Sequence, residues 1–401
     1  MNVVFTADFK NIWVLSLSSA LAGSVIPLMV LVGSLVGAEL APTVTWATAP
    51  IALVILGTAL AVIPVSSCMQ ALGRKKALWL FMSLGIVSCG LAMIALQLQS
   101  FTLFCITSLL LGTTNTALLQ TRFAAMESVT IEHSATAASM VMGGGIIAAF
   151  VGPELAVMGA QLTDVSYQGS FLLAAACIAL AASILSLFKS PPITAPVTQK
   201  TSTSAAILLR NPSFCLAIAS GITAYVVMSF VMTGTPISMH HFHGHSLMDT
   251  KWVIQSHIAA MFLPSFIAPL LFKHFKIRGM MLLGLACYCT TILIGFSDTS
   301  VSGFWLQLVL LGVGWNFLFI AGTSLLPSTH HEDDRFKAQA INDFTVFSFQ
   351  AVAALSAGWA INIITWQQML LGCLIPILMM VLILTWEGFK LYRTSAMNSR
   401  G

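Results

Sequence analysis

Charge is what this sequence has least of. Asp, Glu, Lys and Arg make up 7% of its 401 residues, against roughly 25% in an ordinary soluble domain. A water-soluble chain of this length could not cover its surface with so few. Nor is there a glycine-rich loop set between a strand and a helix with a lysine to reach a phosphate, so an ATP-driven pump is disfavoured. No Ser-His-Asp order suggests a hydrolase, and nothing calls for a cofactor. The eight cysteines, at 68, 89, 105, 177, 215, 287, 289 and 373, stand singly within or beside apolar runs. They read as small apolar residues, not as a disulfide framework or a zinc set. A net charge of +4 carries no nucleic-acid signal.

What is abundant is apolar sequence. Hydrophobic residues make up 58% of the chain, and its mean hydropathy is +0.93. Uncharged or nearly uncharged runs fall near 12–37, 44–70, 77–98, 101–125, 137–161, 167–188, 213–237, 252–272, 279–297, 303–326, 338–363 and 367–388. Each is long enough for a membrane span, and the first is too long for the core of a signal peptide. The expected fold is an all-α polytopic membrane protein of twelve transmembrane helices in two six-helix pseudo-repeats. A first bundle (1–188) is joined to a second (213–390) by the Pro-, Ser- and Thr-rich segment "KSPPITAPVTQKTSTSAAILLRNP" (189–212), and 391–401 forms a tail. With the N-terminus inside, sixteen of the seventeen Lys and Arg residues fall on the cytoplasmic side, all but Lys251. That asymmetry sets the orientation, with both termini cytoplasmic. "LLGTTN" (110–115) and "LLGVGWN" (310–316) echo one another at corresponding places in the two halves, as internal repeats of a secondary transporter would.

Three stretches resemble the major facilitator superfamily over essentially the whole chain. In "SSCMQALGRKKAL" (66–78), Gly73, Arg74 and Lys75 match the superfamily's signature between its second and third helices, while Ser66, Gln70 and Ala71 depart from it. "ASMVMGGGIIAAFVGPELA" (138–156) is similar to the fifth-helix signature of drug/proton antiporters at Gly144, Gly152 and Pro153, with Ala156 where a glycine would follow. "GVGWNFLFIAGTSLL" (312–326) and "RFKAQAINDFTVF" (335–347), with "TRFAAMES" (121–128) and "IQSHIAAMFLPSF" (254–266), resemble a subgroup of bacterial facilitators. The resemblance implies the twelve-helix fold, a bacterial inner (cytoplasmic) membrane and transport of a small solute; nothing in it calls for more than a monomer. Residues 144, 148, 152, 156 and 160 are Gly, Ala, Gly, Ala and Ala, a small-residue stripe suited to close helix packing, and Pro153 permits a pivot. Packing and gating are both open readings of Gly152 and Pro153.

Polar residues inside spans are functional candidates by default. Glu154, beside the proline, is a candidate for taking up and releasing a proton, or else a carboxylate near the interface. His257, inside the eighth run, is a candidate proton relay or a structural hydrogen bond. Trp315 and Asn316 in the tenth run, Asn115 in the fourth, and Tyr225 and Met228 in the seventh are candidates for a substrate wall at the midplane, although such groups also serve packing. Gly73, Arg74, Lys75, Glu127 and Asp343 are candidates for gating contacts at the cytoplasmic end, with Glu127 able to reach Arg74 across the gate. The cluster "MHHFHGHS" (239–246) offers His240, His241, His243 and His245 to a metal, with Asp249 nearest, but histidine-rich loops are as readily only polar. The expected function is a secondary transporter of a small organic solute working by alternating access and coupled to protons, with export favoured. The alternative is proton-coupled uptake of a vitamin or siderophore; a membrane enzyme or receptor lacks the residues it would need.

Overall fold

The computed structural model describes residues 10–129, 134–189, 208–330 and 334–398. Every regular element among them is helical, as expected where lipid leaves backbone N–H and C=O groups no partner but each other. In chain order the long elements are α1 (Lys10–Leu40), α2 (Ala49–Leu72), α3 (Arg74–Gln97), α4 (Phe101–Met126), α5 (Ser134–Gly159), α6 (Gln168–Leu185), α7 (Pro212–Phe242), α8 (Leu247–Phe262), α9 (His274–Ser297), α10 (Val301–Thr329), α11 (Arg335–Ile363) and α12 (Trp366–Leu391). Ten of these are long and apolar enough to cross a membrane. The exceptions are α5, whose apolar stretch Gly143–Gly159 is shorter, and α8, with 16 residues. Most of the expected linker, 190–207, lies outside the described residues.

Breaks in the helices follow from the sequence. α1 is interrupted between Gly23 and Val25; Pro27 has no N–H to give the Gly23 carbonyl, which leaves the ladder open there. The eighth apolar run, expected over 252–272, differs from the helix found. α8 begins earlier, at Leu247, because Ser246 and Asp249 form a capping box. It ends at Phe262, where Pro264 turns the chain into the short 3-10 segment Leu263–Phe266. That earlier start takes Lys251 into the helix. It stands inside α8 and is only 4% exposed.

Contacts group the helices into two sets. α1 packs on α5 and α6, α2 on α4, and α3 on α4 and α6; α7 packs on α10, α11 and α12, while α8 and α9 both lean on α10. Between the sets, α2 meets α11, α5 meets α8, and the second half of α1 meets α7 and α8. The glycines of α5 account for its close approach to α1. A methyl group at Gly144 would stand 2.9 Å from the Ser16 carbonyl, and one at Gly152 would run into the Ser24 carbonyl. The small-residue stripe is thus a packing surface.

Candidate functional site

A cavity of about 440 Å³ lies between the two sets of helices, within the 300–1,000 Å³ usual for small-molecule sites. Its walls come from α1 (Gly23, Pro27), α2 (Thr58), α4 (Asn115, Arg122), α7 (Tyr225, Met228, Met232), α10 (Trp315, Phe319) and α11 (Asp343, Phe347, Gln350). The lining continues to Leu119, Leu326 and Gln339, toward the end at which Arg74, Lys75 and Lys189 cluster. This we call the basic end.

The opposite, far end is closed by contacts between the sets. Lys251 Nζ donates to Glu154 Oε1 at 2.8 Å and lies 4.8 Å from the centre of the Trp252 ring. Gln255 Nε2 donates to the Phe150 carbonyl at 3.0 Å. The Gly358 N–H donates to Thr48 Oγ1 at 3.0 Å, and that hydroxyl donates to the Leu355 carbonyl at 3.2 Å. A methyl group at Gly358 would strike the Thr48 side chain, so the α11 backbone can reach that hydroxyl because residue 358 has no side chain. A cavity reaching one end and sealed at the other is one of the two geometries alternating access requires.

One wall of the cavity is aromatic. Trp315 stacks on Phe319, their centres 4.8 Å apart and their planes 11° from parallel. Tyr225 stands edge-on to Trp315, Phe319 and Phe347 at 5.3, 5.8 and 5.7 Å. Trp315 and Phe319 sit one turn apart on the same helix face, which lets the two rings stack on each other. Trp315 Nε1 is buried with no hydrogen-bond partner, and a buried indole N–H ordinarily has one. Across from this wall, Asn115 Nδ2 donates to Thr58 Oγ1 at 3.2 Å.

Of the residues expected from the sequence, Trp315, Tyr225, Met228, Asn115 and Asp343 come together around the cavity. Asn316 does not line it: its amide donates to the Met261 carbonyl at 2.6 Å and to Ser265 Oγ at 2.7 Å, tying α10 to α8. His257 is likewise away from the lining, fully buried, with Nδ1 donating to the Leu308 carbonyl at 2.7 Å. Glu154 is at the far end and carries the interhelical pair just described. Arg74 donates to both carboxylate oxygens of Glu127, from Nε at 3.1 Å and from Nη2 at 2.6 Å. Both belong to the first set of helices, so the contact does not bridge the sets. Lys75 Nζ donates to the Ser186 carbonyl at 2.6 Å, and Gly73 makes the turn between α2 and α3 at φ 80°, where a side chain would be strained. Gly152 and Pro153 lie in α5, with Gly152 against α1.

Among the loop histidines, His240 Nδ1, His243 Nδ1 and His245 Nε2 donate to the carbonyls of His245, Ser238 and Thr299 at 3.0, 2.8 and 2.9 Å. Asp249 caps α8. No group of His, Cys, Asp or Glu among the described residues is arranged to hold a metal. The sequence reading missed Phe319, Phe347 and Arg122 as cavity residues. Phe319 was detectable as the residue one turn after Trp315; Phe347 and Arg122 join the wall only through the packing of α11 and α4.

Comparison with known proteins adds a family. The profile of the Major Facilitator Superfamily matches residues 12–354. The riboflavin transporter RfnT of Brucella anthropi is 34% identical over 381 residues, covering 94% of this chain and 95% of its own. YddS of Bacillus subtilis, an uncharacterised MFS-type transporter, is 30% identical over 382 residues, covering 88% of this chain and 84% of its own. Among solved structures, the nucleoside transporter NupG shares the fold at a TM-score of 0.66 and 14% identity, covering 95% of this chain and 98% of that one.

Proposed function

The chain belongs to the major facilitator superfamily, and we propose that it takes up a flat, neutral, partly apolar heteroaromatic nutrient, riboflavin or a close relative. The observation that carries the reading is the aromatic wall of the cavity, the stacked Trp315 and Phe319 with Tyr225 edge-on to them. A fused ring system gains stacking energy against ring faces turned to the cavity, on the order of 1–3 kcal/mol per aromatic contact. Similarity to RfnT over nearly the full length supports the same substrate class. It also supports uptake over the export expected from the α5 glycines, whose presence is explained by packing on α1.

In this reading α5 and α8 complete twelve spans in two repeats. Two parallel ties support the repeats: Asn115 joins the fourth helix of its half to the second, and Asn316 joins the tenth helix to the eighth. The protein works as a monomer in the bacterial inner membrane with both termini cytoplasmic, driven by protons. The basic end is then cytoplasmic, and the conformation described is inward-open. The Glu154–Lys251 contact serves as the outer gate.

The test is expression in a bacterial strain that requires riboflavin and lacks its own carrier, with growth and accumulation of labelled riboflavin measured at low external concentration. Quenching of riboflavin fluorescence by the purified protein provides a second readout. Absence of both binding and accumulation would overturn the substrate assignment. Accumulation confined to inverted vesicles would restore export.

A further inference from the structure

The cavity holds one acidic and one basic side chain among the described residues that line it, Asp343 and Arg122. They come from opposite sets of helices, α11 and α4. Among the described residues no ion pair joins them: the Asp343 carboxylate accepts from the neighbouring Asn342 amide at 3.0 Å, Arg122 Nε is buried without a hydrogen-bond partner, and the Arg122 guanidinium lies 4.8 Å from the centre of the Phe123 ring. A charge couple held apart inside a membrane protein is costly, and a neutral aromatic solute does not need it.

We propose that Asp343 is the carboxylate that carries the driving proton, with Arg122 as its counter-charge across the cavity. The inference rests on the uptake reading above. Three other carboxylates form ion pairs away from the cavity: Glu154 with Lys251 at the far end, Glu127 with Arg74, and Glu387 with Arg278, the last also accepting from Ser213. Around Asp343, the ionisable side chains that bear on its charge are Arg122 from α4 and Tyr225 from α7, and α2, which also packs on α11, has no charged residue. When the cavity opens to the far side, a proton from water there binds a carboxylate oxygen of Asp343, and the neutral carboxyl no longer attracts Arg122. When it opens to the basic end, Arg122 favours the ionised carboxylate and the proton leaves to water at that end.

The experiment uses proteoliposomes holding the full chain and labelled riboflavin. Exchange of labelled for unlabelled riboflavin without any gradient comes first; its absence in the unsubstituted protein would sink the substrate reading itself. With exchange present, an imposed gradient of one pH unit, acid outside, should drive about tenfold accumulation for one proton per solute. Asp343→Asn should lower that ratio to about one, and Asp343→Glu, which keeps a titratable carboxylate at the same place, should restore it. Gradient-driven accumulation surviving in Asp343→Asn overturns the proposal. So does failure of Asp343→Glu to restore accumulation in the folded protein, and so does accumulation that follows a sodium gradient instead.

Discussion

Replacing Glu154 with Gln tests the far-end closure at the one charged contact between α5 and α8 among the described residues. Lys251 is buried at 4% exposure while the Glu154 side chain is 43% exposed. Breaking a fully buried pair by removing one partner costs about 3–5 kcal/mol, because a charge is left without compensation. An exposed pair is worth about 0–1 kcal/mol. Here the ammonium is desolvated but its partner reaches water, and Gln255 stays within 3.4 Å of the same carboxylate oxygen. An intermediate loss of about 1–2 kcal/mol follows, equivalent to a 5- to 30-fold shift of a two-state equilibrium. Glu154→Gln should therefore move the population toward a far-end-open state by that factor. The readout is the distance between spin labels at Met158 and Met248, exposed at the far ends of α5 and α8, in a background without the exposed Cys289. Adding Lys251→Met removes the orphaned charge, so the double variant should be less perturbed than Glu154→Gln alone. Equal distance distributions in the single variant and the unsubstituted protein, or a double variant no closer to it than the single, would refute the reasoning.

Trp315→Ala should weaken riboflavin binding, measured by fluorescence quenching, by about 5- to 150-fold through loss of roughly 1–3 kcal/mol of stacking, and Trp315→Phe should recover most of it. Gly358→Val should force α11 off Thr48, lengthening the same label distance and lowering uptake without abolishing binding. His257→Ala should lower the thermal unfolding midpoint, through loss of the buried contact to Leu308 at a cost of about 1–3 kcal/mol, and leave riboflavin affinity unchanged; weaker binding would return His257 to the site.

How much of this the chain alone makes legible is clearest at particular residues. Scarcity of charge and the succession of apolar runs dictate a helical membrane protein, because hydropathy and chain length are one-dimensional properties and lipid leaves the backbone no other choice. Pro27 and Pro264 announce their breaks, and the glycine stripe of α5 announces a close helix neighbour; these effects are local. Trp315, Tyr225, Met228 and Asn115 were readable as polar or aromatic groups in the middle of spans, the positions a midplane cavity uses. The partners of each side chain were not. That Glu154 meets Lys251, that Asn316 and His257 spend their hydrogen bonds on neighbouring helices, and that Asp343 faces Arg122 across an open cavity all depend on rotation of each helix about its axis. These helices are apolar on nearly every face, so lipid prefers no side of them, and that rotation is set by the small-residue contacts between them. The sequence alone determined the helices and their composition; tertiary packing decided which few polar groups face the cavity and which merely hold its walls together.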